Sequence, residues 1–305
     1  MPDLAPLQGK RILVTGATGM VGGPLAAALA ADNTVYGGAR FSNPQARDKA
    51  EAAGVHTVRV DLGSEELEEI PDDLDYVLNF TVSRTNDWEA DFAANVEGVA
   101  QLMERCNEVA AFFQCSTAGV YESQGHTPLT EASPLGDSHR GAGFQTYSIS
   151  KIAGEALVQH AAARLDIPTV IARLSVPYGD DFGWPAFQAM MIERDIPITV
   201  HNDPPSEYSP LHLTDMVRSL PYLLGAASVP ATIVNWGGDE IVSVEDWSGL
   251  LGELLGKQPV FAHDANAIPS LPLDVSKLND LGFHSTITWQ EGMRRLVETS
   301  HANAS

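Results

Sequence analysis

Short apolar runs alternate with helix-patterned stretches from the beginning of the chain, and that alternation predicts a parallel sheet covered by helices on both faces. Arg11-Ile12-Leu13-Val14-Thr15 is an apolar run that stops at glycine, and Val21 to Ala31 follows as an alanine-rich helix ending near Asp32-Asn33. Further strands are predicted at Thr34 to Tyr36, His56 to Val60 and Tyr76 to Phe80, the last nearly all apolar, as a strand buried on both faces must be. The acidic stretch Glu65 to Asp75 reads as surface. A helix around Asp91 to Val109 leads to a fifth strand, Ala111 to Cys115; Tyr147 to His160 has helical spacing, and Thr169 to Leu174 returns as a sixth strand. Glu122 to Gly143 is rich in Gly, Pro, Ser and Thr and is read as a long loop, a kind that is usually functional. Beyond Pro177 the pattern is broken by Pro185, Pro197, Pro204, Pro205 and Pro210 before a helix around Thr214 to Leu224, which suggests a smaller C-terminal lobe.

Thr15-Gly16-Ala17-Thr18-Gly19-Met20-Val21-Gly22 lies between the first strand and the first helix. In that setting Gly16 permits a tight turn, Gly19 lets backbone approach a pyrophosphate, and Gly22 lets the helix pack close to the sheet. A diphosphate would then rest on unpaired amides at a positive helix end. The predicted fold is therefore α/β, a Rossmann-type doubly wound parallel sheet over residues 1–175, with a smaller substrate-binding lobe over residues 176–305 that interleaves with it. At the end of the second strand Gly38-Ala39-Arg40-Phe41 offers an arginine and no acid. An acid there bonds a ribose 2′-hydroxyl, whereas a cation accommodates a 2′-phosphate, so NADP(H) is favoured over NAD(H), with Arg47 as a second cation.

Composition narrows the partners. With 305 residues and 44% hydrophobic content the chain buries a sizeable core. Forty acidic against eighteen basic residues give a net charge of −22, a field that repels nucleic acid and anionic membranes, so a small-molecule substrate is expected. The acids are scattered, as a solubilising surface requires, and an anionic ligand needs a local basic pocket. Cys106 and Cys115 lack metal-type spacing and make no disulfide framework, so no metal site and a reducing, cytoplasmic setting are expected. Met1 to Lys10 holds no apolar targeting core, and no stretch reaches the roughly 18 apolar residues of a membrane span.

The glycine turn, Asp61-Leu62, Asn79-Phe80-Thr81, Cys115-Ser116-Thr117-Ala118-Gly119-Val120-Tyr121, Tyr147-Ser148-Ile149-Ser150-Lys151, Ser209 to Asp215 and Asp274 to Phe283 occur in this order. Together they resemble the extended short-chain dehydrogenase/reductases, also called the NAD-dependent epimerase/dehydratase family. The resemblance implies Tyr147 as catalytic acid/base, Lys151 as its partner and Thr117 as the third member, with Ser116 as the alternative. It also implies cofactor contacts from Gly16, Thr18, Gly19, Met20, Val21, Gly22, Arg40, Asp61, Leu62, Phe80, Thr81, Val82, Asn95, Cys115, Tyr147, Lys151, Ser175, Val176 and Pro177. Arg84, Tyr121, Trp184 and His212 are candidates for the substrate, and a homodimer through Ala90 to Val109 and Ser150 to Ala163 is a further expectation.

The physical content of the resemblance is a tyrosine whose anion needs stabilising, because its ordinary pKa near about 10 is too high for proton exchange at neutral pH. Tyr147 and Lys151 stand four residues apart on one helix face, which brings the ammonium toward the ring. His212 and His139 serve equally well as structural residues, and Tyr178, Phe182 and Trp184 as packing. The family's dehydratases carry two acids after the active-site threonine, where this chain has Ala118 and Gly119, so dehydration is not expected. Its nucleotide-sugar epimerases carry an asparagine and an arginine where this chain has Val176 and Tyr208, with Glu207 adjacent. The sequence alone therefore favours a reductase or dehydrogenase of a small carbonyl or alcohol. The alternatives are a nucleotide-sugar epimerase that retains its cofactor and a non-catalytic cofactor-binding protein.

Overall fold

The computed structural model describes residues 6–64 and 66–304. The beginning of the Met1 to Lys10 stretch, and Glu65 at the head of the acidic segment, lie outside the described residues. A seven-stranded sheet is built from β1 (Arg11–Thr15), β2 (Thr34–Ala39), β3 (His56–Arg59), β4 (Tyr76–Asn79), β5 (Ala111–Thr117), β6 (Thr169–Leu174) and β7 (Thr232–Trp236). Its order is β7-β6-β5-β4-β1-β2-β3, and β1 pairs in parallel with both β2 and β4. The order reverses at β1, where the chain first winds toward β3 and then back through β4. That reversal opens a crevice at the carboxyl ends of β1 and β4, where ligands bind in open α/β sheets.

The helices match the apolar spacing with informative differences. α1 (Gly22–Leu29) buries Leu25, Ala26 and Leu29. α2 (Pro44–Ala52) was not expected from periodicity, because it buries none of its residues; it starts at an Asn43 side chain that accepts from the Gln45 amide, with proline at the first turn. The helix expected over Asp91 to Val109 begins earlier and is divided into α3 (Trp88–Phe92), a π-helical turn (Ala93–Glu97) and α4 (Gly98–Arg105). α5 (Tyr147–Leu165) is longer than its sequence pattern and closes on Asp166 in a left-handed conformation. Leu13, Val77, Phe112 and Ile171 from the strands share one core with Leu102, Met103, Val158 and Ala162 from the helices.

The chain divides into two compact units, each discontinuous in sequence. The first comprises residues 1–117, 146–173 and 217–234; the second comprises 118–145, 174–216 and 235–305. The chain passes between the units several times, once between residues 173 and 174, whereas a single cut after residue 175 was the expectation; the loop Glu122 to Gly143 belongs to the second unit and part of the helix Leu213–Gly225 to the first. Within the second unit short strand pairs join 176–178 with 210–212 and 198–201 with 261–264. Trp247 is fully buried there, and its indole nitrogen donates to Gln188. The prolines beyond Pro177 do not prevent regular structure: Pro185 stands in the first turn of the helix Trp184–Glu193, where its missing N–H costs nothing.

A buried ion pair joins α5 to β6. Arg173, 3% exposed, donates from its Nε at 3.0 Å and from Nη2 at 2.7 Å to the carboxylate of Glu155, also 3% exposed. Removing one partner strands the other charge in the interior. Arg173→Met is expected to lower unfolding free energy by about 3–5 kcal/mol, measured by urea denaturation; a midpoint equal to that of the parent would show the pair to be dispensable.

Candidate active site

The glycine turn has the geometry that a dinucleotide requires. Gly16 has φ +69°, and a Cβ on it would lie 2.8 Å from the backbone carbonyl carbon and oxygen of Phe80. A Cβ on Gly22 would lie 2.6 Å from the Gly16 oxygen. Both positions therefore exclude any side chain, and the turn can close onto the end of β4 only as glycine. No side chain caps the start of α1; the Gly23 amide donates to the Gly19 carbonyl at 3.0 Å and Pro24 carries no N–H, so what the helix start offers an anion is chiefly its positive dipole end. Thr18, Gly19 and Met20 line this turn from the exposed side. The residues present fit a dinucleotide's diphosphate.

Around the turn, the expected contacts take distinct places. Phe80 is 8% exposed and packs on Phe113, with ring centres 5.5 Å apart. The Thr81 amide donates to Asn79 Oδ1 at 3.1 Å, and Asn79 is itself held by Thr15 and Gln114 in the sheet interior. Val82 is exposed. Asp61 Oδ1 accepts from the Gly63 amide at 3.1 Å, and Leu62 is buried beneath Gly98. Arg40 is exposed at the end of β2, whereas Arg47 places its guanidinium over the Phe41 ring at 4.9 Å. Asn95 is committed to the fold: its amide nitrogen donates to the Ser83 carbonyl and the Ser150 hydroxyl, and its oxygen accepts from the Ser83 amide.

At the carboxyl end of β5 the structure brings together Thr117, Tyr147 and Lys151. Tyr147 opens α5 and is half-buried; its phenol is hydrogen-bonded to the Thr117 side chain. Side chains alternate along a strand, so Ser116 points the other way. Its hydroxyl donates to buried Glu155, which selects Thr117 over Ser116 as the hydroxyl beside the tyrosine. Lys151 is 6% exposed and donates from Nζ to the Cys115 carbonyl at 3.0 Å. Cys115 thus contributes its backbone; burial pushes its thiol up to about 11, so it stays protonated. Burial also raises the Tyr147 phenol above its ordinary value, against the Thr117 hydrogen bond and the Arg84 charge that lower it. Lys151 is lowered, chiefly by burial.

The remaining candidates lie in the second unit. Tyr121 is 0% exposed and its hydroxyl donates to Asn235 Oδ1 at 2.5 Å, so it presents no polar atom to a substrate. His212 is buried, with Nδ1 accepting from the Thr214 amide and Nε2 bonded to Asp180, which makes it a satisfied structural histidine. Trp184 packs edge-on against Tyr208. Ser175 Oγ accepts from the Ser209 amide at 3.1 Å, with Val176 buried and Pro177 half-buried beside it. His139 fills the space beside Gly119, where an added Cβ would meet its ring at 2.4 Å.

Sequence reasoning missed the carboxylate that organises the loop after β4. Asp91 has no exposed surface and accepts from the Ser83, Thr85 and Thr146 hydroxyls and from the Thr85 and Asn86 amides. Burial works against its charge, but the hydrogen bonds outweigh it and hold the carboxyl at about 2, below the ordinary 3.8. A folded pKa below the unfolded one gives stability that is complete above about pH 4 and disappears as pH falls toward 2. Asp91→Asn is expected to unfold more easily by roughly 2 kcal/mol at pH 7, with the gap to the parent closing as melts are repeated toward pH 2. A gap that stays constant with pH would contradict an ionised Asp91.

Comparison with known proteins places the chain in a family and a fold. Residues 12–237 match the NAD dependent epimerase/dehydratase family. A curated relative, described as an uncharacterised UDP-glucose epimerase, YtcB, of Bacillus subtilis strain 168, is 25% identical over 89% of this chain and 91% of its own. A UDP-glucuronic acid 4-epimerase of Bacillus cereus, solved with UDP-glucuronic acid and NAD, superposes with a TM-score of 0.80 at 22% identity, covering 96% of this chain and 99% of that one. A UDP-glucose 4-epimerase of Thermotoga maritima, solved with UDP-glucose, gives 0.80 at 19% identity, covering 97% and 100%. At such identities the superpositions speak for the fold, while the match along most of the chain establishes the kinship: this chain belongs to the NAD dependent epimerase/dehydratase family, enzymes of the extended short-chain dehydrogenase/reductase type.

Proposed function

We propose that the chain is a nucleotide-sugar epimerase that retains its nicotinamide dinucleotide through the catalytic cycle. The observation that carries this is the convergence of Thr117, Tyr147 and Lys151 at the end of β5, in the unit that also holds the open glycine turn. The UDP-glucose epimerase description of the curated relative supports the substrate class. When bound, the dinucleotide supplies hydride acceptance and return at the sugar carbon. The chain's own residues manage the oxygen. Tyr147 takes the proton of the substrate hydroxyl as a carbonyl forms, and gives it back after the carbonyl has turned its other face. Thr117 shares a hydrogen bond with the phenol and fixes the oxygen against it. Lys151, held by the Cys115 carbonyl, keeps positive charge in the interior beside them.

The dinucleotide we propose is NADP(H), because β2 ends in Ala39-Arg40 with Arg40 facing solvent and no acid to bond a ribose hydroxyl. A second reading, a reductase of small carbonyls, draws on the second unit. Tyr208, at the position of the family's epimerase arginine, is buried with its hydroxyl donating to the Ile268 and Pro269 carbonyls, and Glu207 beside it pairs with His126. Neither offers a cation to a diphosphate.

One assay separates the readings. Incubation with UDP-glucose is expected to yield UDP-galactose with no net absorbance change at the nicotinamide band; stoichiometric NADPH loss with simple carbonyls, and no sugar product, would instead establish the reductase. Tyr147→Phe should lower turnover by roughly 10²–10⁴-fold. Because the Tyr147 phenol is raised, the rate should climb with pH through the neutral range rather than fall. Arg40→Ala should weaken NADPH binding at least about tenfold, followed by fluorescence titration, and leave NADH binding nearly unchanged; equal losses for both would assign Arg40 no part in dinucleotide choice.

A further inference from the structure

The loop that follows β4 carries more polar order than a connection needs. Its backbone wraps the Asp91 carboxylate, with the Thr85 amide at 3.0 Å and the Asn86 amide at 3.1 Å, while Asn95 brackets Ser83 through both its amide and its carbonyl. The same two side chains reach α5: Asp91 accepts from Thr146, the residue before Tyr147, and Asn95 donates to Ser150. The loop is thereby tied to the first turn of the catalytic helix. Between the two anchored residues, Ser83 and Thr85, stands Arg84. Its side chain is exposed, and its guanidinium carbon lies 6.0 Å from the centre of the Tyr147 ring. A guanidinium facing an aromatic ring is attracted to it, and the attraction increases when the ring carries a phenolate charge.

We propose that Arg84 is a positioning residue of the catalytic centre, whose guanidinium, fixed over Tyr147 by the Asp91-centred loop, stabilises the phenolate through which Tyr147 takes the substrate's proton. This rests on the acid/base role given to Tyr147 above. The groups that act on the phenol are Thr117 and Cys115 of β5 and Arg84, while Lys151, one turn along the same helix, donates to the Cys115 carbonyl. The Cys115 thiol is neutral at working pH, and the Lys151 ammonium is directed to a backbone carbonyl. The nearby Asp91 charge is engaged by five donor groups. Arg84 is thus the cation held against the ring face, and an exposed position allows it to be replaced without disturbing the core.

The test follows Tyr147 directly, by NMR of the full chain grown with carbon-labelled tyrosine, its signal identified by loss in Tyr147→Phe. Arg84→Ala is expected to move the titration of that signal upward by about half a pH unit to one unit, with Arg84→Lys close to the parent. The rising limb of turnover against pH should shift the same way, with KM little changed. A Tyr147 signal that responds to pH alike in the parent and Arg84→Ala overturns the proposal. Full turnover in Tyr147→Phe would instead overturn the acid/base reading, so the two failures are distinguishable.

Discussion

Keeping a lysine ammonium almost out of solvent is the constraint that organises this candidate active site. A buried ammonium is unfavourable unless its hydrogens meet acceptors, and Lys151 meets the carbonyl of Cys115 on the neighbouring strand. That bond cannot form unless α5 lies at a fixed height along β5. The same requirement recurs one turn later, where Glu155 accepts from Ser116 and from Arg173. Thr146 and Ser150 add two more ties, to Asp91 and Asn95. Four successive polar anchors on one helix leave little freedom to slide, so the phenol of Tyr147 keeps its place against Thr117. The geometry of the candidate site is a by-product of satisfying buried polar groups.

The anchors also explain why the helix before β5 is irregular. A π-helical turn at Ala93–Glu97 widens the backbone where the Asn95 carbonyl comes close to α5, at Gly154, whose added Cβ would lie 2.7 Å from that oxygen. Asp91 and Asn95 stand four residues apart, a spacing that puts both on the face toward the loop after β4. Close approach at Gly154 and a widened turn at Asn95 are thus two parts of one accommodation.

What was legible in the sequence follows from what repeats locally. Strands buried on both faces, such as β4 and β6, are apolar runs and read without difficulty, and the glycine turn is legible because only glycine tolerates the backbone of Gly16 and the contact at Gly22. Tyr147 and Lys151 were recognisable as a spaced pair in a known order. α2 escaped because a helix that buries no residue has no apolar stripe. Asp91 escaped because its partners, Ser83, Thr85, Asn86 and Thr146, are ordinary polar residues whose convergence exists only in three dimensions. The substrate candidates Tyr121 and His212 failed for the complementary reason: aromatic and imidazole side chains near loops look available in sequence, and only burial shows that their polar atoms are already satisfied.

The charge distribution completes the argument. A chain with net charge −22 repels dinucleotides at long range, yet it belongs to a family described as NAD dependent. Salt screens exposed charges over about 8–10 Å, so the acidic surface sets only the approach and the local cations set the binding. In the first unit those cations are few and differently held: Lys151 buried on a carbonyl, Arg47 over Phe41, Arg84 over Tyr147, and Arg40 exposed. Backbone amides at the uncapped start of α1 add positive potential that needs no side chain and draws no acid to neutralise it. An acidic protein can therefore hold an anionic ligand through helix geometry and a handful of fixed cations, whatever the sign of the rest of its surface.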